Sequence, residues 1–244
     1  MAIGAYTSAF LTNEIALSMW LAIPAGAAAA GAVALAVGLP ILRTHGIYLA
    51  LATFSLGEII KAVFLNLDVV GGASGYAVFD YAGPMAVWLT AIGVVVFMLI
   101  LSQTRFFLYL TAIKNDATVA DLFGLNTRNL QLAALTLGAI IAGIGGGIYA
   151  HHFSFVEAQY FNAHLNIFIV LFVLLGGVQT VYGPLFGALF FTAVPELLRF
   201  SDEWRFVLFA ALIIIAMAWR SEGVITAKLL RAPWRGKAPE GARP

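Results

Sequence analysis

Long apolar runs alternate with short polar segments along the chain. The apolar runs cover residues 15–39, 46–66, 82–103, 132–153 and 204–219. An α-helix needs about 20 such residues to cross a bilayer. The hydrophobic residues are continuous within each run rather than alternating, which favours helices and excludes a barrel of strands. The pattern predicts an all-α fold, a polytopic transmembrane helical bundle with about five full spans.

The apolar stretch between residues 164 and 200 differs because glycine and proline interrupt it. Gly176-Gly177 and Gly183-Pro184 would each weaken or break a continuous helix. The pattern therefore predicts a broken, two-legged segment with short helices over 165–177 and 184–198. Irregular backbone at membrane depth is tolerated where it is buried in protein or lines a cavity. Gly176 and Gly177 are accordingly candidates for a translocation path.

Composition supports a membrane protein. Hydrophobic residues make up 62 % of the 244 residues, charged residues 10 %, and the mean hydropathy is +0.96. A soluble domain carries about 25 % charged residues. The chain has no cysteine, so disulfides and thiol chemistry are excluded.

The polar stretch 104–131 is the longest interruption between apolar runs. Small and apolar residues recur in it at helical spacing, namely Leu110, Ile113, Ala117, Ala120 and Gly124. This spacing predicts one short amphipathic helix that ends at Gly124, with Asn126 or Thr127 capping the next helix. Such a helix between two spans is either a docking surface for another protein or an ordinary solvated loop.

Two features inside or beside the second span are candidates for the translocation path. Glu58 and Lys61 lie three residues apart on one helical face, either beside a substrate path or as a neutralised pair near the membrane surface with Lys61 snorkelling outward. Gly71 and Gly72 belong to the segment GGASG, which is either a flexible turn or a close backbone approach to a ligand or partner.

Nothing in the sequence indicates a metal or catalytic site. His151, His152 and Glu157 are neighbours, but a metal would need further ligands at suitable spacing, and the histidines suit the membrane interface. An intramembrane enzyme would need convergent polar groups within the spans, which Glu58 and Lys61 alone do not supply. The chain also lacks a Walker A motif of its own.

Charge distribution predicts the orientation of the chain. Basic residues concentrate after the last span, at Arg220, Lys228, Arg231, Arg235, Lys237 and Arg243. The positive-inside rule places this tail and the 104–131 loop in the cytoplasm, and the loops 67–81 and 154–164 outside. Residues 1–14 are weakly polar, without Lys or Arg, and the same parity places residue 1 outside. That position without a signal predicts that further helices precede Met1.

Several motifs in order resemble a known family. They are LRTHGIYLALATFSLGEII (42–60), GGASG (71–75), AIKNDATVADLFGLN (112–126), LLGGVQTVYGPLFGALFFTAVPELLR (174–199) and WRSEG (219–223). In these the chain resembles the permease subunits of branched-chain amino acid ABC importers, of the LivM type. The resemblance extends from about Gly4 to Gly223. It implies a permease domain over 1–223 that lacks the family's first helices, followed by a basic cytoplasmic tail over 224–244.

The resemblance also implies partners and a coupling surface. The family's cytoplasmic loop docks the ATP-hydrolysing subunit, which implies an interface here of Ala112, Lys114, Asp116, Ala120, Gly124 and Asn126. The family often has an acidic residue where Ala117 stands, and Asp116 is the candidate to replace it. The implied partners are a second permease subunit of the LivH type, two ATP-binding subunits and a periplasmic substrate-binding protein. ATP would be bound by the partners, and no cofactor or nucleic acid by this chain.

The implied function is import of leucine, isoleucine or valine across the bacterial inner membrane by a subunit that is not itself an enzyme. Urea or short-chain amides are the alternative substrates, because related permeases are similar. A secondary transporter is the alternative of another class, since broken helices also fit such proteins. Uptake that survives loss of the ATP-hydrolysing subunits would favour it.

Overall fold

A computed structural model describes residues 1–44, 46–178 and 180–197. The predicted last span at 204–219, the WRSEG motif and the basic tail at 224–244 lie outside the described residues. The chain divides into two compact units, Met1–Leu165 and Asn166–Pro244.

Helices dominate both units. In chain order they are α1 (Ala2–Ile15), α2 (Met19–Ile41), α3 (Ile47–Leu65), α4 (Pro84–Ser102), α5 (Arg105–Asn115), α6 (Ala117–Leu122), α7 (Thr127–Phe153), α8 (Ala163–Gly176) and α9 (Tyr182–Leu197). Within the described ranges, α2, α3, α4 and α7 are the helices long and apolar enough to cross a membrane. They correspond to the first four predicted spans, and the all-α polytopic fold is confirmed.

The structure of residues 1–14 differs from the interpretation of the sequence, which treated them as a short, weakly polar segment before the first span. They form α1, and its face of Ala2, Gly4, Ala5, Ser8 and Ala9 is buried. The run is too short and too mixed to register as a span. Its helix depends on packing against other helices, and tertiary packing supplies most helical stability in proteins.

Small residues bring α1, α2 and α7 into close contact. A Cβ on Gly26 of α2 would lie 2.6 Å from the carbonyl oxygen of Gly4, and one on Gly143 of α7 would lie 2.8 Å from the Cα of Ala27. Such backbone proximity is the usual basis of helix association in lipid, where apolar side chains gain nothing by leaving the solvent. These three helices form the centre of the first unit.

The segment between α3 and α4 is fastened to the far end of α7. Short strands β1 (Tyr76–Ala77) and β2 (Phe155–Val156) pair antiparallel, with Tyr76 opposite Val156. Beyond them the Ala82 amide donates to the His151 carbonyl at 3.0 Å. We call this side of the first unit the strand end. The side that carries α5, α6 and the ends of α2 and α4 is the loop end.

In the second unit, α8 and α9 are the two short helices that the glycine and proline pattern predicts, and the prediction is confirmed. Gly176, Gly183 and Gly187 lie where the two helices touch. A Cβ on Gly187 would lie 3.2 Å from the Cα of Gly176 and closer still to the carbonyl of Phe172. Phe172 and Phe191 stack beside this contact with ring centroids 5.2 Å apart.

Candidate functional site

The 104–131 loop contains two short helices rather than the single amphipathic helix predicted over Leu110–Gly124, so that prediction is wrong. The backbone breaks at Asp116, which is extended at φ −157° and ψ 109°. The Asp116 carboxylate accepts hydrogen bonds from the amides of Thr118 and Val119 at 2.9 and 3.0 Å and so caps α6. Aspartate is a weak residue in a helix interior and a strong one at an N-cap, which explains the break.

The break changes which residues of the loop are exposed. Ile113 of α5 and Ala120 of α6 are both buried within the chain, whereas Ala112, Ala117 and Gly124 are exposed. The predicted small-residue face is therefore divided between two helices that point different residues inward. Asp116 is the candidate to replace the family's acidic residue, and its carboxylate is hydrogen-bonded to the backbone of α6.

The end of α6 and the start of α7 follow the local chemistry of the sequence. Gly124 adopts φ +81°, the left-handed conformation that glycine takes without steric cost. The Asn126 side chain accepts a hydrogen bond from the Asn129 amide at 3.0 Å and caps α7. Both predictions are confirmed, and they make the turn between α6 and α7 a well-defined one.

Two large apolar side chains project from this turn. Leu122 and Phe123 are each 83 % exposed. We call this pair the apolar tip. Helical spacing alone did not predict the apolar tip. The sequence did contain a signal for it, because two large hydrophobic residues stand directly before a glycine that ends a helix.

The start of α7 is tied both to α2 and to the short helix α6. The Arg128 guanidinium donates to the Leu39 carbonyl, near the end of α2, at 3.0 Å. The Thr127 amide donates to the Asp121 carboxylate at 3.4 Å. A displacement of the apolar tip would therefore be transmitted to α2 and α7.

The in-span charges form a pair. Lys61 Nζ lies 3.1 Å from Glu58 Oε2, and the two side chains are partly exposed. Glu58 Oε1 is buried and has no hydrogen-bond partner among the described residues. The pair lies in the half of α3 nearer the strand end, as the interpretation of a neutralised surface pair requires. Its free carboxylate oxygen suits the path interpretation, and both remain predictions.

The GGASG glycines pack against the chain itself. Gly71, Gly72 and Gly75 all adopt positive φ. A Cβ on Gly75 would lie 2.5 Å from the Phe155 ring, and one on Gly72 would lie 3.2 Å from the Leu65 carbonyl. The close backbone approach is thus to β2 and the end of α3, and the segment is structured rather than a loose turn.

The remaining path candidates and the histidines lie elsewhere. Gly176 and Gly177 are buried where α8 meets α9 and belong to the second unit, whereas Glu58, Gly71 and Gly72 belong to the first. His151 Nδ1 is 2.9 Å from the Asp80 carbonyl, and His152 Nδ1 is 2.9 Å from the Ala82 carbonyl. Both rings therefore hold the segment before α4 against the end of α7. In the described ranges no three His, Cys, Asp or Glu side chains are grouped to hold a metal.

These features define a multi-pass helical membrane protein with a structured loop between two of its spans. Residues 1–217 match the family model for the permease component of branched-chain amino acid transport systems, and the chain belongs to this family. No solved structure matches the chain.

Three relatives show the breadth of the similarity. The chain is 26 % identical, over 92 % of its length and 61 % of the relative's, to the high-affinity branched-chain amino acid transport system permease protein LivM of Escherichia coli K12. It is 28 % identical, over 81 % of its length and 59 % of the relative's, to the autoinducer 2 import system permease protein LsrC of Photorhabdus luminescens. It is 24 % identical, over 80 % of its length and 64 % of the relative's, to the probable branched-chain amino acid transport permease protein LivM of Methanocaldococcus jannaschii. The chain thus spans less than two thirds of the length of these relatives.

Proposed function

We propose that this chain is the membrane-spanning permease subunit of an ATP-binding-cassette importer in the bacterial inner membrane. The observation that carries the proposal is the apolar tip, Leu122 and Phe123, exposed on a capped turn that is tied to the ends of two spans. Family membership supports it. The 104–131 loop and the tail then lie in the cytoplasm, where the partners that bind ATP are located.

A protein partner would bury the apolar tip. Each side chain of this size gains about 1.5–3 kcal/mol when it leaves water. A cleft in an ATP-binding subunit would supply that burial, and Ala112, Asp116, Gly124 and Asn126 would surround the contact as exposed neighbours. Ala120 belongs to the same proposed surface only indirectly, because it holds α6 against the rest of the chain. Lys114 is exposed at the end of α5 and would lie at the edge of the contact.

The mechanism follows from these connections. ATP binding would close the two ATP-binding subunits and displace the apolar tip. The Arg128 contact with Leu39 and the Asn126 cap would pass that displacement to α2 and α7. A second permease subunit of the LivH type would complete the pore, and a periplasmic binding protein would deliver the solute. In this scheme the chain itself hydrolyses nothing, and it binds no cofactor or nucleic acid.

The proposed solutes are leucine, isoleucine and valine. Glu58, Gly71, Gly72, Gly176 and Gly177 are the proposed path residues, of which Glu58 alone offers a charge and an unpartnered oxygen. The similarity to a permease of an autoinducer 2 import system favours a second candidate class, small polar solutes other than amino acids. Urea and short-chain amides belong to that class.

Uptake in whole cells tests the proposal. Cells that express this chain together with a second permease subunit, ATP-binding subunits and a substrate-binding protein should accumulate labelled leucine, and deletion of the ATP-binding subunits should abolish the accumulation. Competition by excess urea, acetamide or autoinducer 2 distinguishes the solute classes. Uptake that persists without the ATP-binding subunits would replace the importer with a secondary transporter.

A further inference from the structure

A groove of about 480 Å³ lies at the loop end of the first unit. Its walls are apolar side chains from the end of α2, the start of α3, α5 and α7, among them Leu42, Leu49, Leu110, Ile113 and Leu135. Thr53 also lines it, but its hydroxyl donates to the Leu49 and Ala50 carbonyls of its own helix. Gln131 is the other neutral polar residue of the lining, so the groove offers a mainly apolar surface at the ends of the apolar helices.

One cation borders this apolar surface. Lys114 lines the groove from the last turn of α5, and its side chain is exposed. No carboxylate pairs with it in the part of the chain that the structure describes. The nearest acids along the chain are engaged, since Asp116 accepts from two amides of α6 and Asp121 accepts from the Thr127 amide. The ammonium is thus free to bind an anion beside the groove.

The wider charge distribution agrees with an anionic ligand. Four basic residues lie at the loop end against two acids, Asp116 and Asp121, whereas the strand end carries more acids than bases. The loop-end bases are Arg43, Arg105, Lys114 and Arg128, and the strand-end acids include Glu14, Asp68, Asp80 and Glu157. Basic residues at one membrane face attract the anionic lipid headgroups of that leaflet. A lysine stem lies along apolar surface while its ammonium reaches the headgroup level.

We propose that the groove binds an anionic phospholipid, with an acyl chain along the Leu49 and Leu135 wall and the phosphate on the Lys114 ammonium. Charge complementarity selects this occupant over a zwitterionic lipid, and the apolar walls select it over a soluble phosphate. A lipid bound there would pack between α5 and the spans α2, α3 and α7. Lipid binding by the chain alone does not depend on the proposed transport function, and only the test with ATP-binding subunits rests on it.

Native mass spectrometry of the purified full chain tests this inference. The chain is titrated with phosphatidylglycerol or with phosphatidylcholine of the same acyl chains. We expect the phosphatidylglycerol to bind more tightly, and we expect Lys114→Gln to weaken its binding about fivefold while leaving phosphatidylcholine unchanged. Lys114→Arg should keep most of the preference, because the charge remains.

Arg105→Gln is the matched control. Arg105 is also an exposed cation of α5, but it lies at the other end of that helix and does not line the groove. An equal loss from Arg105→Gln would indicate diffuse attraction and overturn the proposal, as would equal binding of the two lipids by the wild-type chain. Ala134→Phe, which fills the groove, should reduce binding of both lipids.

Two further arms separate the other possible occupants. Soluble glycerol phosphate in excess should not displace the lipid, and displacement would mean a simple phosphate site. Assembly with ATP-binding subunits should leave the lipid bound. If assembly releases it, the groove is a protein contact and the lipid proposal is overturned.

Discussion

Ala120 and Phe123 lie three residues apart at the same turn of the polar loop, yet Ala120 is 4 % exposed and Phe123 is 83 % exposed. The turn therefore has an inner side that holds it to the chain and an outer side that no described residue covers. This division determines which substitutions probe docking and which probe folding. A tryptophan at Ala120 would overpack the inner side, at a cost of about 1–3 kcal/mol, and would not report on a partner alone.

The first prediction concerns the apolar tip. Phe123→Asp should weaken association with the ATP-binding subunits by tenfold or more, since loss of about 1.5–3 kcal/mol of apolar burial corresponds to that range. Copurification of the subunits and substrate-stimulated ATP hydrolysis are the measurements. The permease should stay folded, because the side chain is exposed in the free chain.

Phe79→Asp provides the control for this substitution. Phe79 is 86 % exposed but lies at the strand end, so its replacement should leave the association with ATP-binding subunits intact. The docking proposal fails if Phe123→Asp and Phe79→Asp both purify with their partners and hydrolyse ATP normally.

The second prediction concerns the α6 cap. Asp116→Ala removes the acceptor for the Thr118 and Val119 amides, and loss of an N-cap typically costs about 1 kcal/mol. Hydrogen exchange of the α6 amides should therefore accelerate about fivefold, while the amides of α7 exchange as before. Asp116→Asn should restore most of the protection, because asparagine also caps helices.

Asn115→Ala serves as the neighbouring control. No hydrogen bond of the Asn115 side chain is present in the described structure, so its removal should not change α6 exchange. Unchanged exchange in Asp116→Ala would show that the cap contributes nothing, and that α6 depends on Ala120 packing instead.

The sequence was informative wherever local chemistry decides the structure. The α3 span is predicted over 46–66 and observed at Ile47–Leu65, because hydrophobic length alone defines it. Gly124 ends one helix because a residue without a Cβ adopts a positive φ freely, and Asn126 begins the next because its side chain caps the helix. The same holds for the interruption between α8 and α9.

The sequence was less informative where distant residues decide. Helix α1 exists through backbone contacts such as those of Gly4 with Gly26 and Gly143, far apart in the chain. The break at Asp116 results from competition between a helix interior and a cap, and the helical spacing of Leu110 to Gly124 concealed it. Ala120 is buried within the chain rather than exposed to a partner. Its burial depends on how α6 packs against the rest of the chain, which helical spacing does not predict.

The third prediction concerns orientation. Ser74 and Gln159 are exposed at the strand end, and Thr118 is exposed on the loop. Cysteines placed singly at Ser74 and Gln159 should react with an impermeant thiol reagent in intact cells, and a cysteine at Thr118 or at Ala238 in the tail should not. The chain has no cysteine of its own, so any labelling reports the introduced position. Labelling of Thr118→Cys from outside would reverse the orientation and remove the docking proposal with it.

The last prediction separates packing from transport at the glycines of α8 and α9. Gly187→Ala places a Cβ against the Phe172 carbonyl, and overpacking of this kind costs about 1–3 kcal/mol. The purified protein should therefore unfold at a lower temperature. Gly138→Ala is the matched control within α7, where nothing lies within 4 Å of the added Cβ, so removal of a helical glycine should stabilise by about 0.5–1 kcal/mol.

Gly176→Ala then tests the proposed path directly. Its Cβ would meet the Gly183 carbonyl, so a purely packing residue should lose thermal stability and uptake together. A fall in uptake with an unfolding temperature near that of the wild type would instead assign Gly176 a role in the path beyond packing. Wild-type stability in both Gly176→Ala and Gly187→Ala would mean that α8 and α9 do not rest on these glycines, and the two-legged packing would have to be abandoned.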